Sequence, residues 1–194
     1  MTQDEILAEF RAADALLEGH FILSSGLHSP RYLQCARVLM DPKRAARLAE
    51  TLAATIPDAI RSEIGIVVSP AMGGILAGHE LARALGVEAL FVERPSGTFE
   101  LRRGFRIAPG EKVLLVEDVV TTGLSSREAM KAVEDAGGSV IAAAALVDRS
   151  NGAADLGVPF FPLIRLDVPT YPADALPPGL AAMPAEKPGS RKPV

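Results

Sequence analysis

Residues 113–126 read VLLVEDVVTTGLSS, and the fold turns on how this stretch is read. Its first four residues are apolar without alternation, as in a strand covered on both faces. Two adjacent acids, Glu117 and Asp118, follow. A small, hydroxyl-rich turn then leads into a helical pattern. The same texture repeats outward in both directions. IGIVVSP (64–70), GGILAGHELARALG (73–86) and ALFVE (89–93) precede it, and SSREAMKAVEDAGG (125–138) and SVIAAAALVDR (139–149) come after. Doubly apolar strands alternating with helices predict an α/β fold, a central and mostly parallel sheet flanked by helices.

Before this region, Thr2 and Glu5 have the spacing of a capping box, and Ile6, Leu7, Phe10, Ala13, Leu16 and Leu17 recur at helical intervals. They predict a helix ending near Gly19. Short extended segments are expected over 20–23 and 31–35, separated by a turn over 24–30, SSGLHSP. Pro42 opens a second helix that runs to about Thr55. Residues 98–107, TFELRRGFRI, alternate partially around a glycine and predict a β excursion outside the core. From Pro169 onward the chain holds seven of its fifteen prolines and no periodic pattern. That predicts a surface-wrapping or disordered tail without chemistry.

Composition narrows the function. Apolar residues at 48% and charged residues at 23% suit a globular domain and exclude a disordered or fibrous chain. At 194 residues there is room for one α/β domain and not two. A net charge of −4 and a pI near 5.4 lack the clustered positive charge that nucleic acid or an anionic membrane would need, so neither partner is expected. Cys35 is the only cysteine, and His20, His28 and His79 are scattered, so no zinc site or disulfide framework is predicted. The N-terminus carries acids where a signal peptide carries bases, and no apolar run approaches the ~20 residues of a membrane span. A soluble, cytoplasmic protein is expected.

The chemistry gathers where strands end, because ligands of open α/β sheets collect at the carboxyl ends. Thr121, Thr122, Gly123 and Ser125 can aim hydroxyls and N–H groups at a phosphate held at a helix N-terminus. Glu117 and Asp118 accept hydrogen bonds, which suits sugar hydroxyls and, through water, a Mg2+ shell. Together they ask for a sugar phosphate. Residues 69–74, SPAMGG, offer either a close backbone approach to an anion or a tight turn. Arg94, Arg102 and Arg103, within 91–105, offer either charge for an anionic leaving group or a solvated basic hairpin. Arg149, in VDRSNG, can fork onto a planar carboxylate or pair with Asp148 or another nearby acid. His79, within an apolar helix, is expected to be a packed core or groove residue rather than a ligand.

The 113–126 stretch resembles the phosphoribosyl pyrophosphate (PRPP) signature of type I phosphoribosyltransferases, and the resemblance covers about residues 1–170. It implies that family's fold, a single domain over 1–170 with a hood from about 1–40 and a Pro-rich tail over 171–194. In the family the acid pair, here Glu117 and Asp118, holds the ribose 2- and 3-hydroxyls. Val119, Val120, Thr121, Thr122, Gly123, Leu124 and Ser125 would form the 5-phosphate loop. Met72, Gly73 and Gly74 would hold the pyrophosphate, although many relatives carry lysine where Gly73 stands. Arg94 would also contact PRPP, and Arg102 and Arg103 would act catalytically on a loop reaching into the partner of a homodimer. The lysines and histidine of the commoner loop are absent here.

Residues 14–35, DALLEGHFILSSGLHSPRYLQC, resemble the hood of the orotate-using branch, FxLxSGxxSPxY, with Ser24 where lysine is frequent. Thr121 and Arg149 would then hold orotate. The implied reaction transfers the 5-phosphoribosyl group of PRPP to orotate, giving orotidine 5-monophosphate and pyrophosphate in de novo pyrimidine (UMP) biosynthesis. Mg2+ would enter through substrate and water, with no direct protein ligand. Two alternatives differ in kind. A purine or uracil enzyme would lack a use for the hood and Arg149; a non-catalytic PRPP-sensing regulator would want a basic stripe or helix-turn-helix, and neither is present.

Overall fold

Thr2 and Glu5 close their capping box: the Glu5 amide donates to Thr2 Oγ1 at 3.3 Å, and the Thr2 amide donates to Glu5 Oε2 at 2.7 Å. This computed structural model describes residues 1–23 and 25–187. Helix α1 (Gln3–Ala12) stops well before Gly19. Asp14 takes a left-handed backbone (φ 48), and the Ala15 amide reaches back to the Phe10 carbonyl at 2.8 Å. Leu16 then opens β1 (Leu16–Ile22) and pairs with Leu33 of β2 (His28–Leu33). Neighbouring leucines fit a helix face or a strand equally, and the hairpin partner decides. Pro30 sits within β2, an edge strand where its missing N–H is tolerated. Cys35, expected in an extended segment, starts α2 (Cys35–Leu39). Asp41 then accepts from the amides of Lys43 and Arg44 and caps α3 (Pro42–Ala53), with Pro42 in the first turn.

Next come the one-turn α4 (Asp58–Arg61), β3 (Ile66–Pro70), α5 (Gly74–Leu85), β4 (Glu88–Glu93) and β5 (Glu100–Leu101). They lead into β6 (Lys112–Val120), α6 (Leu124–Asp135), β7 (Ser139–Asp148) and β8 (Phe160–Arg165). The six strands form one sheet in the order β5-β4-β3-β6-β7-β8. All neighbours are parallel except the β4–β5 hairpin. Strand β8 was not anticipated, because Pro162 interrupts its apolar run; as an edge strand it pairs only with β7.

Side chains alternate across the sheet and split the core in two. Val67, Leu114, Val116 and Leu146 face a cluster with Leu48 and Leu52 of α3 and Leu81 of α5. Val68, Val113 and Leu115 face the other cluster, with Met130 and Val133 of α6. The 98–107 segment does enter the core, contrary to expectation. Phe99 and Ile107 are buried in the second cluster and anchor both ends of the excursion. His79 is exposed on α5 rather than packed.

The C-terminal segment does more than wrap the surface. After α7 (Pro178–Ala181), β9 (Ala185–Glu186) pairs in parallel with β1 and completes a second sheet, β2-β1-β9. Tyr171 and His28 exchange two backbone hydrogen bonds of 2.8 Å. Ser29 Oγ donates to the Pro169 carbonyl at 3.1 Å, and the buried His20 ring meets the Met183 carbonyl at 3.0 Å. Residues from both ends of the chain thus build one small hood. Residues 188–194 of the expected tail lie outside the described residues.

A chain ending at Pro177 should keep the six-stranded sheet and loosen the hood. Amide exchange in β1 is expected to quicken by about tenfold, as for losing ~1.4 kcal/mol of local hydrogen bonding, while β3 and β6 stay protected. Unchanged exchange across β1 would show that the C-terminal segment does not support it.

Candidate active site

Strand β6 lies inside the sheet, with β3 on one side and β7 on the other, and it delivers the acid pair to the sheet's carboxyl edge. Successive strand residues face opposite ways, and the two acids obey this. Glu117 turns toward α6, where Ser126 Oγ donates to its Oε1 at 3.4 Å. Asp118 turns toward the start of α5, so that a Cβ built on Gly73 would lie 2.7–2.9 Å from its carboxylate atoms. Burial pushes the Glu117 carboxyl up to about 8; neighbouring Asp118 adds to the rise, and hydrogen bonds from Ser125 and Ser126 and the charge of Arg94 oppose it. Asp118 is also raised by burial, against the hydrogen bond from the Val119 amide at 2.9 Å. Burial and the neighbouring acid thus favour the neutral form of Glu117 in the free protein.

The loop after β6 is open to solvent. Thr121, Thr122, Leu124 and Ser125 are exposed, whereas Val120 and Gly123 are buried beneath them and Val119 is half-buried. Gly123 has φ 75, and a Cβ there would meet Leu156 Cδ2 at 2.5 Å, so this turn requires glycine twice over. The twelve-residue α6 begins at once, and its first amides have no partners within the helix. A phosphate fits that end.

A second loop faces the first. Ser69 and Pro70 end β3, the Ala71 amide bonds the Val92 carbonyl at 2.7 Å, and Met72 projects 85% exposed. A Cβ on Gly74 would lie 3.0 Å from the Val116 carbonyl, so the start of α5 passes directly over β6. Gly73 leaves no room for a side chain while Asp118 keeps its place.

Arg149 completes the group. Its amide donates to the Val120 carbonyl at 2.8 Å, which ties it to the end of β6. Its Nε is buried and meets no acceptor among the described residues. Burial pulls the guanidinium below its ordinary value, partly offset by the adjacent Cys35. Cys35 lies beneath, its Sγ 3.9 Å from the Asp118 carbonyl oxygen and its thiol held well above the ordinary range by burial. The alternative pairing of Arg149 with Asp148 is not made. Asp148 is fully buried and accepts from the Ser150 amide (2.8 Å), Ser150 Oγ (2.6 Å) and the Gly152 amide (3.1 Å), with Arg165 Nε at 3.4 Å.

The arginines of 91–105 divide. Arg94 pairs with Glu128 of α6, stacks 4.0 Å from the Phe99 ring centre, and acts on Glu117 from there. Arg102 and Arg103 both turn to Glu93 of their own hairpin, at 3.7 and 3.0 Å. The structure therefore joins Glu117, Asp118, Gly73, the Thr121–Ser125 loop, Arg149 and Arg94 around one edge, and holds Arg102 and Arg103 on a separate acid. Ser24, where the hood often carries lysine, lies outside the described residues.

Comparison with known proteins gives this arrangement its lineage. The phosphoribosyl transferase domain model matches residues 38–159. An orotate phosphoribosyltransferase of Rhizorhabdus wittichii is 76% identical over 194 residues, covering 100% of this chain and 99% of its own. This chain belongs to the orotate phosphoribosyltransferase family. A crystal structure of the Aeropyrum pernix orotate phosphoribosyltransferase superposes with a TM-score of 0.72 at 26% identity, covering 83% of this chain and 93% of that one. The Mycobacterium tuberculosis orotate phosphoribosyltransferase in complex with PRPP gives 0.64 at 25% identity, covering 84% and 96%. No helix among the described residues is long and apolar enough to cross a membrane.

Two contributors escaped the sequence reading. Asp148 was noticed only as a partner for Arg149, yet DRSNG at a strand end carries the Asp-to-backbone turn signature that would have revealed its true role. Arg127, which contacts backbone carbonyls only, leaves no local signal.

The contact between Gly73 and Asp118 is directly testable in an orotate phosphoribosyltransferase. Gly73→Ala should displace the Asp118 carboxylate, break its bond from the Val119 amide, and lower kcat/KM by on the order of 10–100-fold with the fold intact. A variant structure with Asp118 unmoved and full activity would show that the approach is slack.

Proposed function

We propose that this orotate phosphoribosyltransferase joins the 5-phosphoribosyl group of PRPP to N1 of orotate, forming orotidine 5-monophosphate and pyrophosphate for pyrimidine (UMP) biosynthesis in the cytoplasm. The observation that carries the reading is Arg149 beside the acid pair. A guanidinium with an unpaired, buried N–H suits the carboxylate that orotate has and uracil lacks. It starts at the end of the strand next to the sugar-phosphate cradle, so base and ribose would meet there.

Displacement at the anomeric carbon needs no covalent nucleophile. The bond from N1 forms as the bond from C1 to the pyrophosphate oxygen breaks; the electron pair leaves with pyrophosphate, and the N1 proton passes to solvent. The transition state resembles an oxocarbenium ion, so placement and charge dominate catalysis. Glu117 and Asp118 accept hydrogen bonds from the ribose 2- and 3-hydroxyls and favour the developing positive charge. Val119, Val120, Thr121, Thr122, Gly123, Leu124 and Ser125 surround the 5-phosphate, and Thr121 also borders the base. Met72, Gly73 and Gly74 present backbone to the pyrophosphate, with Arg94 alongside.

Among the described residues, no three His, Cys, Asp or Glu side chains gather into a cage for a metal. The donor set of two adjacent carboxylates fits an ion that arrives on substrate oxygens, since a nearby cation would let both ionise. Mg2+ held in this way would neutralise charge on the departing pyrophosphate. Homodimer formation is part of the proposal, with Arg102 and Arg103 leaving Glu93 to serve a neighbouring site. Exposed Met40, Met72 and Leu76 supply apolar surface compatible with such a contact.

Turnover with PRPP and Mg2+ should occur with orotate and be negligible with uracil, hypoxanthine, xanthine or adenine; preference for any of the latter would overturn the reading. Arg149→Ala should weaken orotate binding by about 1.5–3 kcal/mol while PRPP binding changes far less. Equal weakening of both would move Arg149 out of the base site.

The pH dependence follows from Glu117. Its folded pKa is raised to about 8, so the neutral acid prevails below that pH, and the ionised form needed for the ribose appears as pH rises through it. Because kcat/KM reports the free enzyme, its value for PRPP should climb about tenfold per unit below pH 8 and then level. Glu117→Gln should be slower and lose that slope. A flat profile in the parent would mean that Glu117 does not govern PRPP capture.

A further inference from the structure

The 5-phosphate loop and the base loop leave adjacent strands, and the ladder that holds β6 to β7 ends at Val120 opposite Asp148. Beyond that point other contacts must set their separation. One is the bond from the Arg149 amide to the Val120 carbonyl. The decisive one is Arg127. Its backbone is fixed in the first turn of α6, where its amide bonds the Gly123 carbonyl at 3.0 Å. From there one nitrogen, Nη1, donates to the Thr122 carbonyl at 3.3 Å and to the Asp155 carbonyl at 2.7 Å. The first acceptor lies in the 5-phosphate loop and the second near the far end of the base loop. Leu156 closes the same junction, packed under Gly123 so closely that a Cβ there would lie 2.5 Å from its Cδ2.

The base loop is itself rigid. Asp148 holds Ser150 and Gly152, and Ser150 Oγ accepts from the Ala154 amide at 2.9 Å. Asp155 and Arg149 thus stand at opposite ends of one hydrogen-bonded loop.

We propose that Arg127 is a positioning residue that fixes the 5-phosphate loop against the base loop, so that occupancy of one prepares the other. The inference rests on the reading above, in which Thr121–Ser125 hold the 5-phosphate and Arg149 holds the orotate carboxylate. Under that reading the ribose is anchored at its phosphate and the base at its carboxylate. The spacing of the two loops then sets the distance between N1 and the anomeric carbon. Reacting atoms must approach to about 3–3.5 Å, and an error of ~1 Å costs on the order of a hundredfold in rate. Arg127 is exposed on its outer side, so removing it leaves the core untouched.

The test is thermodynamic coupling between parts of the substrates. Orotate is titrated calorimetrically into the parent, Arg127→Ala, Arg127→Lys and Leu156→Ala, with and without saturating ribose 5-phosphate. The parent should bind orotate more tightly with ribose 5-phosphate present, within the usual range of about 5–150-fold. In Arg127→Ala that ratio should fall to about one and kcat by on the order of 10–100-fold, while each ligand alone binds nearly as before. Arg127→Lys should restore part of the ratio, since an ammonium can still donate to a carbonyl. A merely structural role would weaken each ligand alone and leave the ratio. A parent ratio of one, or an undiminished ratio in Arg127→Ala, overturns the proposal. Should Arg127→Ala fail to fold, the lysine and Leu156 variants decide by the same ratio. Arg149→Ala separates the two readings. If it binds orotate as the parent does, the base-site reading falls and the coupling with it; if it loses orotate while Arg127→Ala keeps the full ratio, only the coupling is refuted.

Discussion

Burying Glu117 and Asp118 side by side at the end of an interior strand sets the terms for everything around them. Desolvation penalises both charges, and their proximity penalises the second, which is why Glu117 is held near 8. Among the described residues no lysine or arginine is placed to neutralise the pair fully; Arg94 acts on Glu117 but is itself engaged by Glu128. Hydroxyls from Ser125 and Ser126, and the Val119 amide, give partial relief. A site built this way is short of positive charge until a ligand supplies it. That suits the proposed reaction, whose substrate would bring a divalent cation and whose transition state would carry positive charge on the sugar.

The alternation of the strand turns this electrostatic arrangement into geometry. Because Glu117 and Asp118 face opposite sides of the sheet, each needs its own neighbour, and each neighbour is the N-terminal end of a helix. Serines of α6 approach Glu117, and glycine at the start of α5 approaches Asp118. Small residues are required on the α5 side, where a Cβ on Gly78 would lie 2.6 Å from Ser69 Oγ. Replacing glycine by larger residues there would push α5 away from β3 and carry Gly73 and Gly74 off the acid pair. Close packing of helix on sheet and placement of the glycine backbone beside Asp118 are thus one constraint.

Much of this was legible in the sequence because it is local. VLLVEDVVTTG carries its own strand, acid pair and turn within one short window, and the structure assembles them in chain order. Arg149 was legible for the same reason, standing one residue past a strand whose boundary is sharp. The misreadings share a different cause. Leu16 and Leu17 continue a helical spacing that only pairing with β2 overrides, and Pro162 hides β8 although an edge strand tolerates it. Phe99 and Ile107 looked like parts of a loose excursion, yet each is buried by contacts with residues distant in sequence.

The hood shows where local reading reaches its limit. Its third strand is two residues long and comes from the opposite end of the chain. Neither propensity nor periodicity marks so short a segment, and the prolines around it speak for disorder. Besides the pairing of β9 with β1, what holds it are a few long-range contacts: Ser29 to Pro169, two backbone bonds between His28 and Tyr171, and His20 to Met183. Each was present in the sequence as an ordinary polar residue or an anonymous carbonyl. A sheet joined at so few points has little core of its own and borrows its order from the main sheet, through Leu16 and Cys35 in the first core cluster. The same cysteine touches the Asp118 carbonyl, so the hood is seated on the very strand end that carries the acids. The hood and the acid pair therefore share a packing contact, although the residues that make it lie more than eighty positions apart.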